Sequence, residues 1–72
     1  MKKLQVKSVE GFYDVMFFAG YTQSKLARET EITREHMHRI VNGKQNPSIV
    51  LAKKMSDILG KSVEELFDIK EG

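Results

Sequence analysis

The chain has 72 residues, 40% hydrophobic and 31% charged, with no cysteine and a formal net charge of +2. That length is one small domain. It is too apolar for a disordered chain and, burying only about 60% of its unfolded surface, too small to enclose a substrate pocket. The missing cysteines remove disulfide frameworks, thiolate chemistry and cysteine zinc sites, and suit a cytoplasmic location.

In chain order, lysines at positions 2, 3 and 7 open the sequence with no apolar run behind them, so no signal peptide is readable. Leu4-Gln5-Val6-Lys7 is the only candidate for a strand, and residues 1–8 are read instead as an N-terminal arm. The longest uncharged stretch begins at Val15 and ends before Lys25, far short of the ~20 apolar residues of a membrane span. Ser8, Thr22, Thr33, Asn46 and Ser62 are preferred N-cap types, each standing before an apolar-periodic stretch. Gly20, Gly43 and Gly60 stand where helices end. Pro47 suits a first helical turn, and Ser62 with Glu65 reads as a capping box. The spacing predicts five helices, approximately 9–19, 23–30, 34–42, 47–59 and 63–68, in a compact all-α domain over 9–68 with a tail at 69–72.

Inward faces follow from helical periodicity. They comprise Phe12, Val15, Met16 and Ala19; Leu26 and Ala27; Met37, Ile40 and Val41; Ile49, Ala52, Met55, Ser56 and Leu59; and Val63, Leu66 and Phe67. The methionines at this spacing are core fillers. Helices 23–30 and 34–42 are joined by only Glu31-Ile32-Thr33. So short a turn forces a steep crossing and a small residue at the contact, which Ala27 supplies. This is a helix-turn-helix arrangement, spanning about 22–42, whose second helix enters the major groove.

The chain here resembles the Cro/cI-type (Xre-like, lambda-repressor-like) helix-turn-helix family. The matching text is Gly20-Tyr21-Thr22-Gln23-Ser24-Lys25-Leu26-Ala27, Ile32-Thr33, Arg39-Ile40-Val41-Asn42-Gly43-Lys44, Asn46-Pro47-Ser48 and Leu59-Gly60-Lys61-Ser62-Val63-Glu64-Glu65-Leu66-Phe67. It runs from about Phe12 to Phe67. Each piece alone is weak; their order and spacing together are specific.

The resemblance implies double-stranded DNA as partner and gives residues roles. Gln23, opening its helix where the positive dipole end favours a phosphate oxygen, would hold the DNA backbone and brace a recognition side chain. Arg34, Glu35 and Arg39 would read base edges, with His38 behind them. Arginine suits guanine O6 and N7, and glutamate can accept from cytosine N4. Glu35 and Arg39, four apart, could equally form a surface pair, and both roles are compatible. Thr33, His36, Asn42, Lys44 and Asn46 would grip phosphates. His36 and His38 lie two apart on a helix and point away from each other, so no metal site is expected and no cofactor is implied.

Three departures stand out. Glu31 occupies a turn position that usually carries glycine. Met16 and Val41 replace an arginine–glutamate ion pair common in relatives, an exchange that is often neutral or stabilising. Phe17, Phe18, Val50, Leu51 and Ile58 form an apolar surplus. Leu51, Ile58 and Phe67 are therefore expected to form a homodimer or partner surface, placing two recognition helices on an inverted-repeat operator.

The function expected is a sequence-specific transcriptional regulator, a repressor. The alternatives are an antitoxin autoregulating its operon, with a toxin or antirepressor as protein partner, and an interaction module without DNA binding. No nucleophile–base–acid set or glycine-rich phosphate loop points to an enzyme. Residues 1–54 hold ten basic and five acidic residues; residues 55–72 hold two and five. The expectation is a basic body that meets phosphate and an acidic end that faces away.

Overall fold

Seven elements follow in the order β1 (Lys2–Val6), α1 (Val9–Phe18), α2 (Gln23–Thr30), α3 (Arg34–Val41), α4 (Ile49–Leu59), α5 (Val63–Leu66) and β2 (Phe67–Glu71) in the computed structural model, which describes residues 2–71. Each helix starts on a side-chain hydroxyl that accepts a backbone N–H three residues on: Ser8 from Gly11, Thr22 from Lys25, Thr33 from His36, Ser48 from Leu51 and Ser62 from Glu65. One expected cap is corrected. The fourth helix is capped by Ser48 rather than Asn46, so Pro47 precedes it. Gly60, at φ 72°, closes α4 in the left-handed region that costs glycine nothing. The Ser62–Glu65 capping box is fully formed.

The all-α expectation is also corrected, because the arm and the tail pair with each other. β1 and β2 form a two-stranded antiparallel sheet in the register Lys2↔Glu71, Leu4↔Ile69 and Val6↔Phe67. Leu4 and Val6 alternate inward and are buried. The fifth helix stops at Leu66, and Phe67 turns to extended backbone at φ −129°, ψ 144°. Phe67 packs edge-on against Phe12 with ring centroids 5.8 Å apart. Lys7 ties the junction down: its N–H donates to the Leu66 carbonyl at 3.0 Å and its Nζ to the Glu64 carbonyl at 2.6 Å.

One apolar cluster runs through all the elements, with Phe12, Leu26, Met37, Ile40, Met55 and Phe67 fully buried within it. Ser56 is buried too and donates its hydroxyl to the Ala52 carbonyl at 2.8 Å. The inward face of α4 keeps Ala52, Met55, Ser56 and Leu59 as expected but differs at its first turn. Ile49 is 62% exposed, whereas Leu51 is only 9% exposed. The expected partner surface is corrected accordingly. Leu51 and Phe67 belong to the core and Ile58 packs against it half-buried, so none forms an apolar outer stripe. Ala19 lies exposed at the end of α1, while Met16 and Val41 are both buried, an apolar pair of positions as anticipated. No helix among the described residues is long and apolar enough to cross a membrane.

The pairing of the two ends also changes the charge picture. Lys2 and Lys3 stand across from Glu71 and Lys70, and Lys7 reaches α5. Three of the ten basic groups assigned to the body therefore lie among the acidic C-terminal residues, and the polarity along the chain is blunted in space.

Candidate nucleic-acid interface

The α2–α3 turn is built from side chains that release the backbone from one helix and start the next. Thr30 is buried and donates its hydroxyl back to the Leu26 carbonyl at 2.7 Å. Glu31 then takes the left-handed conformation, φ 62° and ψ 37°, the turn geometry expected where glycine is missing. The Ile32 N–H returns to the Ala27 carbonyl at 3.0 Å, and Ile32 packs on the core. Ala27 is buried where α2 meets the interior, consistent with its role as the small contact residue. The Thr33 hydroxyl is committed to its cap, accepting from the His36 N–H at 3.0 Å.

On α3 the two faces separate completely. Met37, Ile40 and Val41 have no exposed surface, and Arg34, Glu35, His38 and Arg39 are exposed. Gln23, Arg34, Glu35 and His38 together line one open concavity, so the start of α2 and the outer face of α3 form a continuous surface.

Two hydrogen-bonded groups organise that surface. In the first, the Gln23 Nε2 donates to the Tyr13 hydroxyl at 2.7 Å while its Oε1 lies 3.0 Å from His38 Nδ1. Asn42 Nδ2 donates to the His38 carbonyl at 2.8 Å and to the Tyr13 hydroxyl at 3.1 Å. Gln23 thus ties Tyr13 of α1 to His38 on the outer face of α3. In the second group Arg39 Nη1 pairs with Glu35 Oε1 at 2.7 Å and Arg39 Nε donates to Gln45 Oε1 at 3.0 Å. Gln45 Nε2 lies 3.0 Å from His36 Nε2. The ion pair is exposed on both sides, so its intrinsic worth is small. Its consequence is positional, since it leaves Arg39 two fixed partners and an oriented guanidinium.

Arg34, Lys44 and Asn46 make no side-chain hydrogen bond among the described residues and are exposed. Lys44 sits in the loop after α3, where its N–H donates to the Arg39 carbonyl at 2.8 Å. Tyr13 and Gln45 are the members that sequence reasoning passed over. Tyr13 lies 29 residues from Asn42, and its one signal was its place beside the inward Phe12 and Met16 on the flank of α1. Gln45 had none beyond its neighbours Lys44 and Asn46. Below the interface, Tyr21 donates its hydroxyl to Glu29 at 2.7 Å and carries Lys25 over its ring. The Glu29 carboxylate raises the Tyr21 pKa above its ordinary value.

Residues 19–66 match the family described as Helix-turn-helix, which covers α2, α3, α4 and α5. The chain belongs to the Cro/cI-type helix-turn-helix family. It is 38% identical over 48 residues to an uncharacterised HTH-type transcriptional regulator of Archaeoglobus fulgidus, covering 67% of this chain and 69% of that protein. A second such regulator, from Methanothermobacter thermautotrophicus, is 32% identical over 53 residues, covering 72% of this chain and 77% of its own. The HTH-type regulator YqaF of Bacillus subtilis is 37% identical over 41 residues, covering 57% of this chain and 54% of its own. Family membership makes DNA the partner class of the α2–α3 unit.

Proposed function

We propose that the chain is a sequence-specific, double-stranded-DNA-binding transcriptional regulator, a repressor that reads its operator through the major groove and carries out no catalysis. The observation that carries this reading is the outer face of α3. There a braced His38, an oriented Arg39, an unengaged Arg34 and Glu35 stand over a fully buried inner face. Base-reading falls to Arg34, Glu35, His38 and Arg39. Backbone contact falls to Gln23, Thr33, His36, Asn42, Lys44 and Asn46, which position the protein without reading sequence, and the cationic Lys44 makes its share depend on salt.

Selection of bound duplexes from a random pool tests the reading. The expected result is a single motif with inverted repeats; recovery of no motif at modest salt would favour an interaction module. Arg39→Ala is expected to relax preference at one or two base positions, the scale of one bidentate contact being ~1–3 kcal/mol. Lys44→Ala is expected to weaken all sequences about equally and to lower the salt dependence. Equal, uniform losses from both substitutions would defeat this division of labour.

A twofold homodimer would place two α3 helices about 34–36 Å apart on such an operator. With Leu51 and Phe67 buried, its apolar contacts fall to exposed groups such as Ile49, Val50 and Ile69. Sedimentation of the protein, free and on DNA, decides this, and a monomer under both conditions removes the dimer.

One observation favours a second reading, the antitoxin of a toxin–antitoxin pair. Phe17 and Phe18 are 77% and 85% exposed and stack edge-on at 5.5 Å, away from any core role. Co-expression with the product of the neighbouring gene, followed by size-exclusion chromatography of the wild type and Phe17→Ser/Phe18→Ser, distinguishes the two.

A further inference from the structure

The geometry points to Tyr13 as a positioning residue that selects, through Gln23, the ring tautomer of His38 and hence the hydrogen-bonding character of the edge His38 turns outward. The inference rests on the DNA-binding reading for its consequence but not for its chemistry. It follows from counting protons around the Tyr13–Gln23–His38–Asn42 group, starting from a backbone carbonyl.

A carbonyl only accepts, so the Asn42 atom 2.8 Å from the His38 carbonyl is the amide nitrogen, which orients the Asn42 side chain. Its second proton goes to the Tyr13 hydroxyl at 3.1 Å. The Asn42 Oδ1, 3.3 Å from the same hydroxyl, takes the single proton Tyr13 has to give. The Tyr13 oxygen accepts from the Gln23 Nε2 at 2.7 Å, the orientation the Gln23 amide takes in the structure. That orientation turns the Gln23 Oε1 to His38 Nδ1 at 3.0 Å. An amide oxygen has no proton, so Nδ1 carries one. Asn42 Nδ2, 3.3 Å from Nδ1, has no proton left to offer it.

Neutral His38 therefore exposes a bare Nε2, which has no hydrogen-bond partner among the described residues. A bare nitrogen accepts, so it pairs with an exocyclic amine, adenine N6 or cytosine N4. The mirrored arrangement, with Tyr13 donating to Gln23, would expose Nε2–H and pair instead with guanine O6 or N7, adenine N7 or thymine O4. Tyr13, on a helix remote in sequence from the reading face, thus decides which base class His38 accepts.

Two measurements on the full chain test this. Long-range proton–nitrogen correlation spectra at a pH where His38 is neutral report its tautomer without DNA. The expected result is Nδ1–H with unprotonated Nε2, and a shift towards the Nε2–H form in Tyr13→Phe. The substitution removes one partly exposed oxygen, and thermal unfolding is expected to stay at the wild-type midpoint. On duplexes from the selected motif, Tyr13→Phe is expected to lower the preference for an amine-bearing base at the His38 position by roughly tenfold, the scale of one lost base contact. Nε2–H in the wild type, or a tautomer insensitive to Tyr13→Phe, overturns the inference. So does an unchanged base preference in a variant whose tautomer has moved. Failure to select any motif would instead count against the DNA-binding reading, since the spectra are read on the protein alone.

Discussion

Glu31 holds a left-handed backbone with a side chain that has little use for it, at the one residue that must reverse the chain between α2 and α3. A non-glycine residue in that region costs about 1–2 kcal/mol, and glycine returns about 0.4–1 kcal/mol through its freer unfolded chain. Glu31→Gly is therefore expected to stabilise the domain by about 0.5–1 kcal/mol and to raise Tm by about 2–8 °C in a thermal melt. An unchanged melt would mean the turn is not strained. The odd residue was visible from its place in the family text, as were the apolar Met16 and Val41. What lay hidden at this scale were contacts made across the chain. Tyr13 joins the His38 group from α1, and nothing in the periodicity of α1 distinguishes a tyrosine that meets Gln23 from one that meets water.

Among the elements, cap chemistry predicts helix starts well because each cap is a local hydrogen bond, readable from a few adjacent residues. It fails at α4 because Asn46 and Ser48 are both competent caps two residues apart. The structure uses Ser48, whose hydroxyl accepts the Leu51 N–H at 3.1 Å. α5 shows how much such a bond carries, since it is only four residues long and rests on its capping box. The Glu65 carboxylate accepts the Ser62 N–H at 3.1 Å, and those Ser62 hydrogen bonds hold its pKa below the ordinary glutamate value. A depressed carboxyl stabilises the fold above its unfolded pKa, and that contribution disappears as acid takes the pH through the lowered folded value. Hydrogen exchange at the Ser62 N–H is expected to quicken relative to the rest of the domain over that acid range, and Glu65→Gln to abolish the relative change. If the wild-type profile is flat there, the box has no role in holding α5.

At the scale of the whole molecule, the helical body was legible and its closure was not. Leu4-Gln5-Val6 and Phe67-Asp68-Ile69 each carry too little alternation to announce a strand, and their pairing spans nearly the full chain. A two-stranded sheet alone is marginal; here it is held by what it covers. Leu4 is 4% exposed, so Leu4→Ala is expected to cost about 2–4 kcal/mol in urea unfolding, as for a core residue rather than an arm. A change under about 0.5 kcal/mol, typical of a surface site, would restore the arm reading. The same closure explains why chain order misjudged the charges: it folds Lys2, Lys3 and Lys7 back onto the acidic end, and the body's remaining basic groups are those of α2, α3 and α4 and the loop after α3.

The antiparallel register also sets how the domain bears load. Tension applied at Lys2 and Glu71 meets the sheet at the pair where both strands leave it. The hydrogen bonds then open in succession from that end, as in a zipper, instead of resisting together in shear. The last pair to open is Val6 with Phe67, so the aromatic core beneath the sheet is uncovered only when that final step is reached.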